Sequence, residues 1–454
     1  MGATQLFFAC SQYAAATVTA AIRAGRFGAR ADHRRILVVT DRSDVPEIGT
    51  APDMMAGFAV LAAEFDDVRS WNDFVRPYHP AEWSPRDQDT ALWQRALRAI
   101  WDLGTGDLEI ACESIQGRPS QTVARIFADS PIHVYADGLM SYGPTRSRLD
   151  PGVAARIRRL IHVDLVPGLR PLLLTEHGVP AEVVATDVFT ALLRELADQA
   201  GDAGLRPTAR PALLLGQYLS SIGILTADEE QALESRMLRG AVRLGHRHVL
   251  FKPHPSAPLD RSRALEEEAR HLGVEFGVLT EPVLAEVLFH HMRPALVVGA
   301  FSTALLTASR LFGLPVARTG TDLLLERLSP YQNSNRIPVT LADALLPDLD
   351  DAGSVASWSL DRALEARGDL AELISAVGFV MQPEAHPGLR PLAHQYLAHH
   401  LDDDARRYFQ GKRLARLGLP GGTPVRFGFV PRTPTVRRLA RGVRSVRRAA
   451  PRRG

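Results

Sequence analysis

Short apolar runs alternate with longer helical patterns along almost the whole 454-residue chain, and few folds accommodate that alternation. The runs at 36–40 (ILVVT), 108–111, 132–135, 213–215, 248–251 and 296–298 are brief, rich in β-branched residues or leucine, and bounded by Gly, Pro, Asp or Ser. Such runs read as strands buried on both faces. Between them, 14–24, 91–101, 227–244, 264–272 and 303–312 carry helical periodicity. Strands alternating with helices predict parallel, doubly wound α/β sheets. Two series are present, separated at 198–211 (DQAGDAGLRPTARP), a stretch rich in Gly, Pro and charge that reads as a linker. The expected organisation is a first Rossmann-like domain over 1–198, a linker at 199–211, a second Rossmann-like domain over 212–400, and a charged helix at 402–416 leading into a basic tail within 401–454.

Hydrophobic residues make up 46% of the chain and charged residues 23%, which excludes a wholly disordered or fibrous protein. The only cysteines are Cys10 and Cys112, too few for a disulfide framework or a CxxC zinc site. No stretch reaches the roughly 18 apolar residues of a membrane span. The apolar start near Leu6 lacks a basic leader and is broken by Ser11, Gln12 and Tyr13, so a cytoplasmic protein is expected. The net charge of +2 hides an asymmetry, because residues 432–454 hold nine arginines and no acid, leaving about −7 for the rest. Few aromatics interleave those arginines, so base stacking is unsupported and nucleic acid is not an expected partner. A basic tail, with one amphipathic helix at 436–446, suits an anionic membrane surface, and peripheral attachment at the inner face of the plasma membrane is expected.

Ligands of doubly wound sheets bind beyond the carboxyl ends of the strands, so the loops just after the strands are the informative places. Three stand out. Asp137-Gly138 follows the run at 132–135. A carboxylate there serves either as general base toward a hydroxyl or as an Asx-turn and cap, and Gly138 permits a tight turn with positive φ or a close ligand approach. Tyr142 follows closely, as a candidate lining of an acceptor pocket. Lys252-Pro253-His254-Pro255 follows the run at 248–251. Two prolines restrict the backbone around His254, holding an imidazole rigidly beyond a strand end where it can donate to a phosphate oxygen. Gly299-Ala300-Phe301-Ser302-Thr303 precedes the helical segment 303–312. Hydroxyls and free N–H groups at a helix N-terminus suit an anion and equally suit plain N-capping. A carboxylate in the first unit with a histidine and a phosphate nest in the second fits group transfer between two substrates held on opposite sides of a cleft. A serine hydrolase elbow, a dinucleotide-binding G-x-G-x-x-G after the first strand and a P-loop are all absent from the sequence. The pairs His290-His291 and His399-His400 are adjacent rather than spaced i,i+4, which makes them poor metal sites.

In this order, Ala136-Asp137-Gly138, His254-Pro255 and Ser302-Thr303 resemble the bacterial polysialyltransferase and lipooligosaccharide sialyltransferase family, over residues 6–320. That family has an acidic-acidic-Gly motif, an HP motif and a Ser/Thr pair on a GT-B scaffold. The resemblance implies an inverting, metal-independent transfer of sialic acid from CMP-sialic acid to a hydroxyl of a glycan or glycolipid, with no cofactor. It further implies that Asp137 is the base, that His254 stabilises or protonates the departing CMP phosphate, that Ser302 and Thr303 hold it, and that Pro255 fixes the turn. A single bridging phosphate charge needs no divalent cation. Further candidates follow from position. Ser11 and Gln12 come after the first strand, facing the substrates; Gln217 and Lys252 come after strands of the second unit, near the nucleotide; and Glu281 opens a helix where a carboxylate bonds ribose hydroxyls. Ala136 stands where the family has its first acid, so a different acceptor or a weaker enzyme is also open. Two other readings are a transferase for another CMP-activated acidic sugar, Kdo-like, or another nucleotide sugar, and a non-catalytic nucleotide- or glycan-binding homologue.

Overall fold

The computed structural model describes residues 3–201, 210–254, 262–402 and 404–423. Two parallel sheets account for every named strand. The first is built from β1 (Thr4–Ala9), β2 (Arg34–Val39), β3 (Asp67–Ser70), β4 (Leu108–Cys112), β5 (Ile132–Ala136), β6 (Ile157–Val163) and β7 (Ala181–Val184), in the order β3-β2-β1-β4-β5-β6-β7. The second comprises β8 (Ala212–Leu215), β9 (His248–Lys252), β10 (Glu275–Val278), β11 (Leu296–Gly299) and β12 (Val316–Arg318), in the order β10-β9-β8-β11-β12. Each sheet starts in the middle, winds outward to one edge, then crosses its first strand and winds the other way. The order therefore reverses beside β1 and beside β8, where Rossmann-like sheets open a crevice for ligands. Two such domains make up the GT-B plan.

The central strands are buried on both faces, as in β1 (TQLFFA) and β8 (ALLL), because helices cover both sides of each sheet. Helix starts follow local capping chemistry. Thr226 and Glu229 form a reciprocal capping box before the helix Ala227–Arg243, and Ser302 caps Thr303–Phe312 by accepting the Ala304 N–H.

The two domains are joined by side chains as well as by the chain. The helix Thr186–Ala200, which closes the first domain, packs on Ala285–Met292 of the second. There the His290 and His291 rings bond to the Asp198 carboxylate and the Ala197 carbonyl, both at 2.9 Å. The adjacent histidines therefore pin two domains together. Beyond the second sheet, the helix Leu370–Met381 crosses back to the first domain. A Cβ at Gly378 would lie 2.6 Å from Leu172 Cδ1, and Gln382 Nε2 donates to the Arg146 carbonyl at 2.7 Å.

Residues 402–416, expected as one exposed charged helix, differ. A 3-10 turn Ala405–Tyr408 and a short helix Gly411–Arg416 pack inward instead. Tyr408 is buried and donates to Asp343 at 2.8 Å, and Arg413 donates to the Val380 carbonyl at 3.0 Å. Arginine heads bound to carbonyls and an apolar Tyr-Phe pair make this charged-looking segment a packing element. The middle of the linker, the turn proline Pro255 and the whole basic tail with its 436–446 segment lie outside the described residues. Among the described residues, no helix is long and apolar enough to cross a membrane.

Candidate functional site

The carboxyl ends of the two sheets meet at one contact. Gly138, just past β5, lies against Thr303 at the start of the helix after β11. The Leu139 N–H donates to Thr303 Oγ1 at 3.4 Å, and a Cβ at position 138 would stand 2.8 Å from that oxygen. Gly138 has φ −155°, an extended value, so the expected positive φ is not what this position uses. Its small size is used for close approach between domains instead.

Asp137 is half-buried between these groups. Burial and the nearby Glu113 carboxylate push its pKa up to about 7, against a smaller opposing pull from Arg42. Glu113 and Arg42 leave the ends of β4 and β2, and the sequence reading did not single them out. Glu113 Oε2 accepts the Cys10 N–H at 3.0 Å, and its Oε1 lies 3.5 Å from Arg42 Nη2. Four neighbouring strand ends thus deliver Cys10, Arg42, Glu113 and Asp137 to one edge.

Across the contact, the loop after β8 carries Gln217 and Tyr218. Gln217 Oε1 accepts the Phe301 N–H at 3.2 Å, so its role here is to hold the loop that leads into Ser302. Tyr218 lays its ring against His254, with centroids 4.0 Å apart and planes tilted by 36°. The loop is shaped by buried Glu230, which accepts the Leu219 N–H at 2.5 Å and the Ser220 hydroxyl at 2.7 Å. Burial, then the charge of Lys252, push the His254 pKa down to about 4, so its imidazole is neutral at neutral pH. A neutral imidazole donates one hydrogen bond and carries no charge. Burial likewise lowers Lys252 to about 8, with the Glu286 carboxylate opposing it. Lys252 is therefore the cation of this half. Thr303 Oγ1 accepts from Leu139 and keeps its own proton to donate.

The remaining candidates sit elsewhere or act structurally. Ser11 caps the helix Gln12–Arg23, accepting the Ala14 N–H at 3.0 Å. Gln12 is fully buried and donates to the Ala56 carbonyl at 2.7 Å. Tyr142, expected to line an acceptor pocket, is fully buried, and its hydroxyl accepts the Val166 N–H at 3.1 Å. An apolar ring on a short 3-10 turn is drawn into the core, which leaves the cleft to its smaller neighbours. Glu281 opens no helix. It lies exposed in the loop between β10 and the helix Ala285–Met292. The carboxylate buried in that helix's first turn is Glu286, which accepts from Thr307 Oγ1 at 2.9 Å.

The Tyr13 hydroxyl, on the second residue of the helix Gln12–Arg23, is buried without a hydrogen-bond partner, and burial raises its pKa, with Glu286 and Asp137 adding to the effect. It therefore sits near carboxylates of both domains. An acid or phenol on a helix that reads as plain core gives no sequence signal, which is why Tyr13 and Glu286 were missed. Among the described residues, no three His, Cys, Asp or Glu side chains form a group able to hold a metal ion.

A family profile described as alpha-2,8-polysialyltransferase (POLYST) matches residues 5–321. No curated protein matches the chain. Among solved structures, the GT-B domain of a sialyltransferase from Photobacterium damselae is similar at TM-score 0.38 and 12% identity, covering 75% of this chain and 96% of that one. MurG from Acinetobacter baumannii is similar at TM-score 0.38 and 10% identity, covering 86% and 99%. Phytolacca americana UGT2, complexed with UDP-2fluoro-glucose and pterostilbene, is similar at TM-score 0.39 and 12% identity, covering 87% and 100%.

Proposed function

The chain belongs to the alpha-2,8-polysialyltransferase family, and from that premise we propose that this glycosyltransferase moves sialic acid from CMP-sialic acid to a glycan hydroxyl, with inversion and without a metal. The observation that carries the reading is the meeting of the two sheet edges, with Asp137 on one side and Lys252, His254 and Thr303 on the other, joined by the bond from the Leu139 N–H to the Thr303 hydroxyl.

The chemistry asks two things of the protein. The acceptor hydroxyl must lose a proton as it attacks the anomeric carbon, and the phosphate oxygen must take the electrons of the breaking bond. Asp137 suits the first task because its raised proton affinity matches neutral pH, where a base is most effective. Lys252 and the His254 N–H suit the second, as a charge and a directed donor near the leaving phosphate. An anionic phosphate beside His254 raises the proton affinity of the ring, so the imidazole becomes a better acid in the complex than in the free enzyme. Ser302 and Thr303 add the N-terminus of a ten-residue helix as a second anion cradle. Base and phosphate site on opposite domains leave room for attack on the side of the sugar away from the departing phosphate, which is what the proposed inversion requires. A monophosphate bridge needs no diphosphate clamp, hence the proposed independence from divalent ions. The arginine-rich tail would hold the enzyme at an anionic membrane carrying a glycolipid acceptor.

The test is transfer itself. Purified enzyme, CMP-sialic acid and a panel of sialylated and unsialylated glycans are incubated with and without EDTA, and products are weighed by mass spectrometry. Addition of one or more sialic acid masses, unchanged by EDTA, is expected. Transfer only from a different nucleotide sugar would replace the donor assignment, and abolition by EDTA would overturn the metal independence.

A further inference from the structure

Glu113 leaves β4 as Asp137 leaves β5. The two strands are adjacent and parallel, with Cys112 in register with Val134, so Glu113 emerges level with Tyr135 and Asp137 follows two residues on, at the same sheet edge and with the same alternation of faces. Glu113 cannot swing away. Its Oε2 accepts the Cys10 N–H at 3.0 Å, Arg42 Nη2 lies 3.5 Å from its Oε1, and its side chain is only 15% exposed. The titratable groups that act on Asp137 from every neighbouring element are Glu113, Arg42, Cys10, Tyr13 and Tyr135. Burial pushes the Cys10 thiol and both phenols upward, so all three stay uncharged near neutral pH. Glu113 and Arg42 are therefore the two charges of this edge that bear on Asp137.

We infer that Glu113 is a positioning residue for the base at Asp137, a fixed anion that tightens Asp137's hold on a proton, while Arg42 loosens it. This deepens the proposed function and rests on Asp137 acting as base. A carboxylate beside a partly desolvated carboxyl group favours that group's protonated form, and a guanidinium beside it favours the ionised form. Glu113 has a backbone N–H and a guanidinium. Among the described residues no guanidinium is ion-paired to Asp137, so the Arg42 charge reaches it only from a distance. The sign is what distinguishes this from a merely structural role. Removing the anion and removing the cation must move Asp137 in opposite directions.

The test titrates Asp137 directly and needs no donor. Wild type, E113Q, E113D and R42Q are labelled with 13C at the aspartate carboxyl, and D137N identifies the Asp137 resonance by its loss. Glutamine keeps an oxygen for the Cys10 N–H, so E113Q retains the fold while losing the charge. The expected midpoint falls by about one pH unit in E113Q, a tenfold drop in proton affinity, rises in R42Q, and stays near wild type in E113D. The acid limb of kcat/KM for transfer moves the same way in each variant. Should E113Q not accumulate, the double variant E113Q/R42Q, which removes both partners of the ion pair together, is compared with R42Q, and its Asp137 midpoint must lie below that of R42Q. An Asp137 titration unmoved by E113Q, or moved in one direction by both charge removals, overturns the inference while an inactive D137N leaves the catalytic reading intact. A D137N enzyme that transfers sugar at the wild-type rate removes the base and overturns both.

Discussion

Substituting Gly138 by alanine tests whether the two sheet edges really close on each other. The backbone there is extended, φ −155°, so alanine adopts it without strain. The only obstacle is across the domain boundary. The new Cβ would stand 2.8 Å from Thr303 Oγ1 and 3.7 Å from Thr303 Cβ and Cγ2. The oxygen contact is well inside van der Waals distance, whereas the two carbons are at ordinary separation. Either Thr303 rotates away, losing its bond from the Leu139 N–H, or the edges part. Overpacking of this kind costs about 1–3 kcal/mol, and loss of one hydrogen bond lies within the same range. At about 1.4 kcal/mol per factor of ten, kcat/KM for acceptor-dependent CMP release should fall by roughly 5-fold to 140-fold. The clash lies between domains rather than inside either core, so the melting temperature should change little. Thr303→Ala removes the offending oxygen. In a double-mutant cycle G138A should therefore cost much less on a T303A background than alone, with a coupling of about 1 kcal/mol or more. Wild-type kcat/KM in G138A, or strictly additive effects in the double mutant, would refute the closed contact.

Other consequences are open to simple measurements. The folded chain holds the Asp137 proton more tightly than the unfolded one, with a pKa of about 7 against an ordinary value near 4, so this residue makes wild type lose stability as pH rises across that window. D137N should consequently melt higher than wild type at pH 8, and the advantage should vanish toward pH 4; equal melting curves at pH 8 would contradict the raised proton affinity of Asp137. His254 is shifted the other way, to about 4, so a phosphate bound beside it should draw in protons. Calorimetry of CMP binding at pH 5.5 in buffers of different ionisation enthalpy should show proton uptake in wild type and less in H254N. Tyr142→Phe removes the hydroxyl that accepts the buried Val166 N–H. It should cost about 1–3 kcal/mol in urea denaturation and leave the KM for acceptor unchanged; a selective rise in that KM would return Tyr142 to the cleft.

Most central strands were legible in the sequence because they are buried on both faces; the inner strand β6 (IRRLIHV) was not, since Arg158 and Arg159 interrupt its apolar run. ILVVT and the run at 132–135 have no competing pattern. Strands β3 (DVRS), β7 (AEVV) and β12 (VAR) carry no such signal, since edge strands are short and are formed by pairing with a neighbour; β3 and β7 are also partly exposed, whereas β12 is buried but only three residues long. The site shows the same division. Asp137, His254 and Thr303 announce themselves by glycine, proline and hydroxyl neighbours just after strands. Glu113 and Arg42 sit in equivalent places, after β4 and β2, with the ordinary neighbours Ser114 and Ser43, and only the sheet order brings them beside Asp137. Glu281 and Glu286 differ by five positions along one segment. Which of them is buried depends on where the helix begins, and boundaries are the weakest part of any reading from pattern alone. The packing of 402–416 was hidden because arginines that bond carbonyls look the same in sequence as arginines in water.

Acceptor-dependent release of CMP from CMP-sialic acid, followed in wild type and in folded D137A and H254A, bears most directly on the facing carboxylate and imidazole. Loss of a general base costs about two to four orders of magnitude, so D137A should retain no more than roughly 1% of wild-type kcat/KM, and H254A should be similarly impaired with an intact melting transition. Turnover at the wild-type rate in either variant would contradict the account.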